Sequence, residues 1–240
     1  MLTTPNTVFD ANTIRGAEPV SHISQPITTG TSVLGVKFDG GVAIAADTLV
    51  SYGSLAKFRN IHRVVKVNDR TVIAASGEIA DFQYLNRTIQ QMIRDDFCEN
   101  DGVQLSPKAV YSWLTRVMYN ARSKFSPFWN RLVVAGMEEG TTPFLGYVDL
   151  LGIAYESSSI ATGLGAYMAQ PIMRAALEKP GPMNRQGAEN LLEECQRVLF
   201  YRDARSYDKY DLAVITSAGV EIKESIPLKP NWTVAEHIQK

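Results

Sequence analysis

The residues with the clearest chemical potential stand at Gly30-Thr31-Ser32-Val33, where the first sustained apolar run follows a polar leader. A threonine left at a chain end by cleavage after Gly30 can act as a nucleophile, with its freed amine as the base. The alternative is that Thr31 is only the first residue of a strand. The neighbours that the fold places beside Thr31 decide between these interpretations.

A hairpin predicted at Asp39-Gly40 brings a carboxylate towards Thr31. Asp-Gly between two apolar runs is a strong signal for a two-residue turn. Counting back along the two strands sets Thr31 opposite Thr48, one residue from Asp47. Because opposed Cβ atoms lie about 5 Å apart, Asp47 is expected near Thr31. A hydroxyl beside a carboxylate can be activated, but the same pair also occurs at ordinary strand ends.

The elements that must position these residues follow from apolar periodicity. After the hairpin, the sequence predicts strands at 64–67, 71–75, 131–137, 144–148, 152–155, 212–216 and 219–222. It predicts helices at 78–98, 106–123, 165–178 and 184–201, with Pro171 marking an irregularity in the third. Helix pairs between strand blocks do not suit a doubly wound parallel sheet. The order predicts an α+β fold, a four-layer αββα sandwich of two antiparallel sheets between helix layers.

Composition argues against several classes of function. The formal net charge of -1 gives no basic excess for nucleic acid. The apolar runs are too short to cross a bilayer, and the leader lacks the apolar core of a signal peptide. Cys98 and Cys195 cannot form a disulfide framework and have no metal-ligand spacing, so neither a metal nor a cofactor is predicted. Both cysteines fall at apolar positions of helical patterns, which predicts burial.

Several motifs follow Gly30-Thr31 in a fixed order and spacing. They are Gly40-Gly41 through Asp47, Ser51-Tyr52-Gly53, Ala75-Ser76-Gly77 with Ala80-Asp81, Gly163-Leu164-Gly165 and Tyr201-Arg202-Asp203-Ala204. Together these motifs resemble the beta-type subunits of the proteasome core particle, over the chain from Thr31 to about Ile222. The resemblance implies the four-layer sandwich of the N-terminal-nucleophile hydrolases, which is the layer order that the periodicity also predicts.

The same resemblance implies partners and a cellular role. Beta-type subunits form seven-membered rings with other beta subunits, stack on a second beta ring and are flanked by alpha-type rings. Assembly chaperones are further candidate partners. The whole complex carries out ATP- and ubiquitin-dependent protein degradation as a threonine-type endopeptidase, in the cytoplasm and nucleus, and these compartments are expected for this chain too.

Active members of this family place an exposed N-terminal threonine beside an aspartate, a lysine, and a later aspartate and serine. The resemblance assigns the nucleophile position to Thr31 and the first aspartate to Asp47. Asp203 and Ser206 match the later pair. Gly77 matches the glycine whose amide helps to form the oxyanion hole.

Three positions depart from the active pattern. The expected lysine is Arg63, the serine of the Gly-Ser-Gly loop is Leu164, and the glycine expected after Ser206 is Tyr207. Arginine stays charged at any working pH and cannot trade protons. Since proton transfer contributes about 100- to 10,000-fold in rate, the site is predicted to be vestigial. The alternatives are an active threonine endopeptidase that uses Thr31 despite Arg63, and a free-standing interaction module whose motifs match by coincidence.

The two chain ends carry predictions of their own. Residues 1–29, rich in Thr, Asn, Ser and Pro, are interpreted as a flexible leader, 30–222 as the beta-type domain and 223–240 as a C-terminal arm. A disabled site should not release Thr31. Among non-catalytic types, the chain most resembles the subunit at the seventh beta position, whose leader a neighbour cuts upstream. This implies a mature start near Ser24, within residues 21–25.

The arm is polar with isolated apolar residues that include Trp232 and Ile238. Its composition alone leaves two interpretations, a frayed tail or an arm that docks its tryptophan on another chain. The resemblance to the seventh beta position favours the second. It implies an arm that reaches into the opposite beta ring and holds the two half-particles together.

Overall fold

Two antiparallel sheets form the centre of the computed structural model, which describes residues 25–99, 102 and 104–236. The strands are β1 Thr28–Gly30, β2 Val33–Phe38, β3 Gly41–Asp47, β4 Val50–Tyr52, β5 Leu55–Phe58, β6 Val64–Asn68, β7 Thr71–Glu78, β8 Asn130–Glu138, β9 Thr142–Val148, β10 Ala154–Glu156, β11 Ser159–Ala161, β12 Lys209–Thr216 and β13 Gly219–Pro227. The smaller sheet has the order β11-β2-β3-β12-β13. The larger has the order β10-β9-β8-β7-β1-β4-β5, and β6 also pairs with β7.

Helices cover the outer face of each sheet. They are α1 Ile79–Glu99, α2 Pro107–Ser123, α3 Gly165–Met168, α4 Gln170–Leu177, α5 Arg185–Arg202 and α6 Thr233–Glu236. One core cluster joins α1 and α2 to the larger sheet, one joins α4 and α5 to the smaller sheet, and a third lies between the sheets. All seven residues of β3 are buried because both of its faces are covered. The predicted four-layer αββα sandwich is therefore confirmed.

The predicted hairpin has the predicted register. Phe38 lies opposite Gly41 and Val33 opposite Ala46. Gly40 has a φ of +85°, which a glycine adopts without steric cost. The turn chemistry thus sets how β2 and β3 are aligned, and with them the positions of Thr31 and Asp47.

Local signals also fixed the helix ends. The Ser106 side chain accepts a hydrogen bond from the Ala109 N–H at 3.1 Å, and the Asn184 side chain accepts one from the Gly187 N–H at 2.8 Å. The predicted irregularity near Pro171 is a break between α3 and α4 at Ala169.

Several short elements were not predicted. β4, β5 and β11 have three or four residues each, too few to show a period. β1 lies inside the segment interpreted as a flexible leader, so ordered structure begins before Thr31. The predicted arm boundary at residue 223 falls inside β13, and the arm that leaves the sheet starts at Leu228. The division into leader, domain and arm otherwise stays a prediction, and Ser24 and Ile238 lie outside the described residues.

The two cysteines differ from each other. Cys195 is fully buried on α5, as predicted, whereas Cys98 near the end of α1 is exposed, so its predicted burial was wrong. The apolar face of α1 loses contact with the sheet towards its C-terminal end, where Phe97 is also exposed. In the part of the chain that the structure describes, no helix is both long and apolar enough to cross a bilayer.

Candidate active site

Thr31 lies where the chain crosses from one sheet to the other, between β1 of the larger sheet and β2 of the smaller sheet. Strand and helix ends converge around it. The residues singled out from the sequence are Asp47 at the end of β3, Arg63 before β6, Gly77 in β7, Leu164 before α3, and Asp203 and Ser206 after α5.

The Thr31 hydroxyl bonds to Asp203. Its Oγ1 donates to Asp203 Oδ2 at 2.5 Å, and Asp203 Oδ1 accepts from the Arg205 N–H at 2.9 Å. Asp47 was expected near Thr31 from the hairpin register, but its carboxylate pairs with Arg63. The register argument placed the strands correctly but could not give the direction of the carboxylate.

Arg63 is completely enclosed at this junction, with 1% of its side chain exposed. Its Nη1 donates to the carbonyl oxygens of Thr31 at 3.0 Å and Ala75 at 2.9 Å. Its Nη2 donates to the Ser32 carbonyl at 3.1 Å and to Asp47 Oδ1, and its Nε donates to the Asp47 carbonyl at 3.1 Å. A guanidinium has five N–H donors, and each is matched here by an acceptor.

The ion pair of Arg63 and Asp47 is buried. Asp47 is 2% exposed, and this burial raises its pKa to about 6 despite the opposing effect of the Arg63 charge. Removal of one partner would leave the other charge buried without compensation. The pair therefore ties the end of β3 to the segment before β6 and to both residues that follow Gly30.

Close packing explains two of the site glycines. Gly77 has a φ of +93°, and a Cβ there would overlap the carbonyl oxygen of Trp129. Gly30 pairs with Gly77, and a Cβ on Gly30 would overlap the Arg63 side chain. Gly77 thus lies beside Thr31, as its assigned place in the site requires. A cavity of about 370 Å³ opens next to them, and its lining includes Thr31, Gly77, Asn130, Gly163 and Arg205.

Among the described residues, neither Ser206 nor Leu164 forms a hydrogen bond with the Thr31 hydroxyl, which bonds to Asp203. The Ser206 Oγ lies 2.7 Å from the Asp203 carbonyl and 3.1 Å from the Leu199 carbonyl, so its hydroxyl closes the end of α5. The loop of Leu164 attaches to Ser32, whose Oγ accepts from the Gly165 N–H at 2.9 Å. Ser32 was missed because its signal, a hydroxyl next to Thr31, has no spacing that points to a loop 133 residues away.

The segment before Thr31 is part of the sheet. β1 pairs with β4 on one side, with Thr29 opposite Ser51, and with β7 on the other, with Gly30 opposite Gly77. The Glu78 carboxylate accepts from the N–H groups of Ile27 at 2.5 Å and Thr28 at 2.8 Å. In the uncut chain the Thr31 nitrogen is an amide, so no free amine can act as a base.

Asn231 and Trp232 of the C-terminal arm lie against the chain's own α5. The Trp232 ring is 54% exposed and lies edge-on to Tyr201 and Phe200, with centroids 5.0 and 6.0 Å away. Up to Trp232 the arm is therefore held by its own chain, and the docking of its tryptophan on another chain stays a prediction. A metal-binding group of three or more His, Cys, Asp or Glu residues is not found among the described residues.

Comparisons with known proteins agree with this architecture. The proteasome subunit family model matches residues 27–215. Proteasome subunit beta type-4 of Xenopus laevis is 53% identical over 93% of this chain and 92% of its own length. Proteasome subunit beta type-7 of Saccharomyces cerevisiae is 40% identical over 93% and 88%, and beta type-4 of Drosophila melanogaster is 40% identical over 95% and 85%. The chain belongs to the proteasome subunit family.

Proposed function

We propose that this chain is a non-catalytic, structural beta subunit of the proteasome core particle. Its relatives are beta subunits by name and match nearly its whole length. In this role it occupies one position in a seven-membered beta ring and contacts an alpha ring and the opposite beta ring. Assembly chaperones are further candidate partners. It contributes to ATP- and ubiquitin-dependent degradation by the complex, in the cytoplasm and nucleus, without cutting peptides itself.

The observation that carries this proposal is the bonding of Arg63. All five of its N–H groups are used on four carbonyl oxygens and the Asp47 carboxylate. A guanidinium does not release a proton in the working pH range, so this group cannot exchange protons with the Thr31 hydroxyl. Where an active relative needs a residue that transfers protons, this chain has Arg63, whose hydrogen bonds hold the surrounding backbone together.

The leader strand supports the same proposal. Cleavage between Gly30 and Thr31 would have to occur at the end of a strand that is paired on both sides and held by Glu78. Retention of β1 keeps Thr31 in amide linkage. The leader is then trimmed upstream, near Ser24, by a neighbouring subunit.

The test is the mature N-terminus of the chain purified within the particle. We expect it upstream of Thr31, and unchanged in Thr31→Ala, because the cut does not depend on this threonine. A wild-type chain that starts at Thr31, together with an uncut leader in Thr31→Ala, would show self-cleavage and contradict the proposal.

The second candidate function is an active threonine endopeptidase. It is favoured by the bond of the Thr31 hydroxyl to Asp203 and by the adjacent cavity. An electrophile that reacts with catalytic threonines would then label this chain in the assembled particle, and Thr31→Ala would abolish the label. We expect label on other subunits and none on this one.

The arm also has a proposed role, which is to reach the opposite beta ring and hold the half-particles together. The experiment is deletion of residues 230–240. We expect half-particles to accumulate because the arm's contacts across the ring interface are lost. Normal joining in that deletion strain would remove this part of the proposal.

A further inference from the structure

Tyr201, in the last turn of α5, contacts the arm with both its hydroxyl and its ring. The Tyr201 Oη accepts a hydrogen bond from the Asn231 N–H at 2.5 Å and donates to the Asn231 carbonyl at 3.0 Å. The Trp232 ring packs edge-on against the Tyr201 ring and against Phe200. One side chain therefore holds both the backbone and the tryptophan of the arm.

Few other contacts with described residues hold residues 229–233 in place. Leu228 is 6% exposed and its N–H donates to the Asp208 carbonyl at 2.7 Å, so the arm is anchored once where it leaves the sheet. Residues 229–233 are exposed. Beyond Asn231 the chain turns, because Asn231 Oδ1 accepts from the Thr233 N–H at 3.1 Å and from its hydroxyl at 2.7 Å. The turn is closed by these two hydrogen bonds, and Tyr201, with Phe200, joins it to the domain.

We propose that Tyr201 is the positioning residue that sets the direction in which the C-terminal arm leaves the domain. The inference rests on the proposed role of the arm in joining half-particles. A chain segment that is ordered only on binding loses conformational entropy at that step, and an arm fixed at its base loses less. Tyr201 thereby raises the local concentration of the arm's tip at its partner surface.

The first experiment measures the arm directly, by hydrogen exchange of the full chain. Tyr201→Phe keeps the ring and removes both hydrogen bonds. We expect the amides of residues 231–233 to exchange at least about fivefold faster, because each net hydrogen bond contributes about 1 kcal/mol and two are lost. The control is Tyr119→Phe, which removes an exposed hydroxyl from α2 in the opposite outer layer and should leave these amides unchanged.

The second experiment asks whether Tyr201 acts through the arm. Half-particles are quantified in cells that carry Tyr201→Phe, the deletion of 230–240, or both as the only copy of the subunit. We expect Tyr201→Phe to give an intermediate accumulation, and the double variant to equal the deletion alone, because the arm is the only route of the effect. A role in the stability of α5 would instead make the two defects add.

The outcomes separate the two proposals. Unchanged exchange of residues 231–233 in Tyr201→Phe, or additive joining defects, would overturn the positioning role. If the deletion itself joins normally, the arm's role in joining fails, while the exchange experiment still decides whether Tyr201 fixes the arm. Faster exchange in Tyr201→Phe with a non-additive joining defect supports both.

Discussion

At the scale of single residues, Arg63 holds together the segments that meet at Thr31, and the proposed lack of activity rests on the same side chain. A lysine at this position would present a compact charge with three donors, whereas the guanidinium presents five in a planar fork. The fork is used on the carbonyls of Thr31, Ser32, Asp47 and Ala75 as well as on the Asp47 carboxylate. The guanidinium therefore makes hydrogen bonds that join three segments of the chain, more than the three donors of a lysine could supply.

Arg63→Lys should consequently destabilise the chain, even though it introduces the lysine expected from the resemblance to active family members. At least two of the five acceptors lose their donor in a buried site, so we expect a loss of about 2–5 kcal/mol in the free energy of unfolding. Urea denaturation measures it, with Arg70→Lys at an exposed position as the control. Equal stability of Arg63→Lys and the wild type would show that the hydrogen bonds of Arg63 do not stabilise the fold.

The cysteines give a second prediction at this scale. Burial raises the pKa of the Cys195 thiol to about 12, so it stays protonated throughout the range in which thiolates are usually labelled. At pH 8 we expect a maleimide to modify the exposed Cys98 and not Cys195, and to modify both in urea. Rapid labelling of two thiols in the folded chain would show that α5 packs too loosely to shield Cys195.

At the scale of elements, prediction from sequence succeeded where a pattern was long enough to repeat. The helix over residues 79–99 and the hairpin of β2 and β3 were predicted because their periods or turn residues are local signals. β1 could not be predicted, because Thr28–Gly30 is a short polar segment whose order comes from two neighbouring strands distant in sequence. The candidate site divides likewise: the resemblance assigned Gly77 to the site of Thr31, but neither it nor the spacing gave the partners of Arg63.

The order of β1 depends on Glu78, and this can be tested. Its carboxylate accepts from two backbone N–H groups at the start of β1, and such charge-assisted bonds are stronger than neutral ones. In Glu78→Ala we expect the amides of Ile27 and Thr28 to exchange at least about tenfold faster.

Glu138→Ala is the matched control for this experiment. Glu138 accepts from the Lys108 N–H at 2.6 Å at the start of α2, so its loss should affect α2 and leave β1 unchanged. Equal protection of Ile27 and Thr28 in the wild type and Glu78→Ala would mean that the strand ladder alone orders β1.

At the scale of the whole molecule, one exposed edge has the apolar character of a surface that contacts another chain. With a formal net charge of -1, self-repulsion does little to keep copies apart. Large apolar side chains cluster at the β4–β5 edge of the larger sheet, where Tyr52 is 50%, Leu55 60% and Phe58 42% exposed. Apolar residues on an unpaired edge strand invite association with another chain.

This edge should therefore be buried in the assembled core particle, and Leu55→Glu tests it. A carboxylate there would lose its water on assembly without a partner, so we expect incorporation of a tagged variant into particles to fall at least about tenfold. Gln186→Glu, an equal change of charge at an exposed position of α5, should be incorporated like the wild type. Thermal denaturation shows whether Leu55→Glu still folds, since its side chain contributes little to the core. Full incorporation of folded Leu55→Glu would mean that this edge faces solvent in the particle and that other surfaces make the ring contacts.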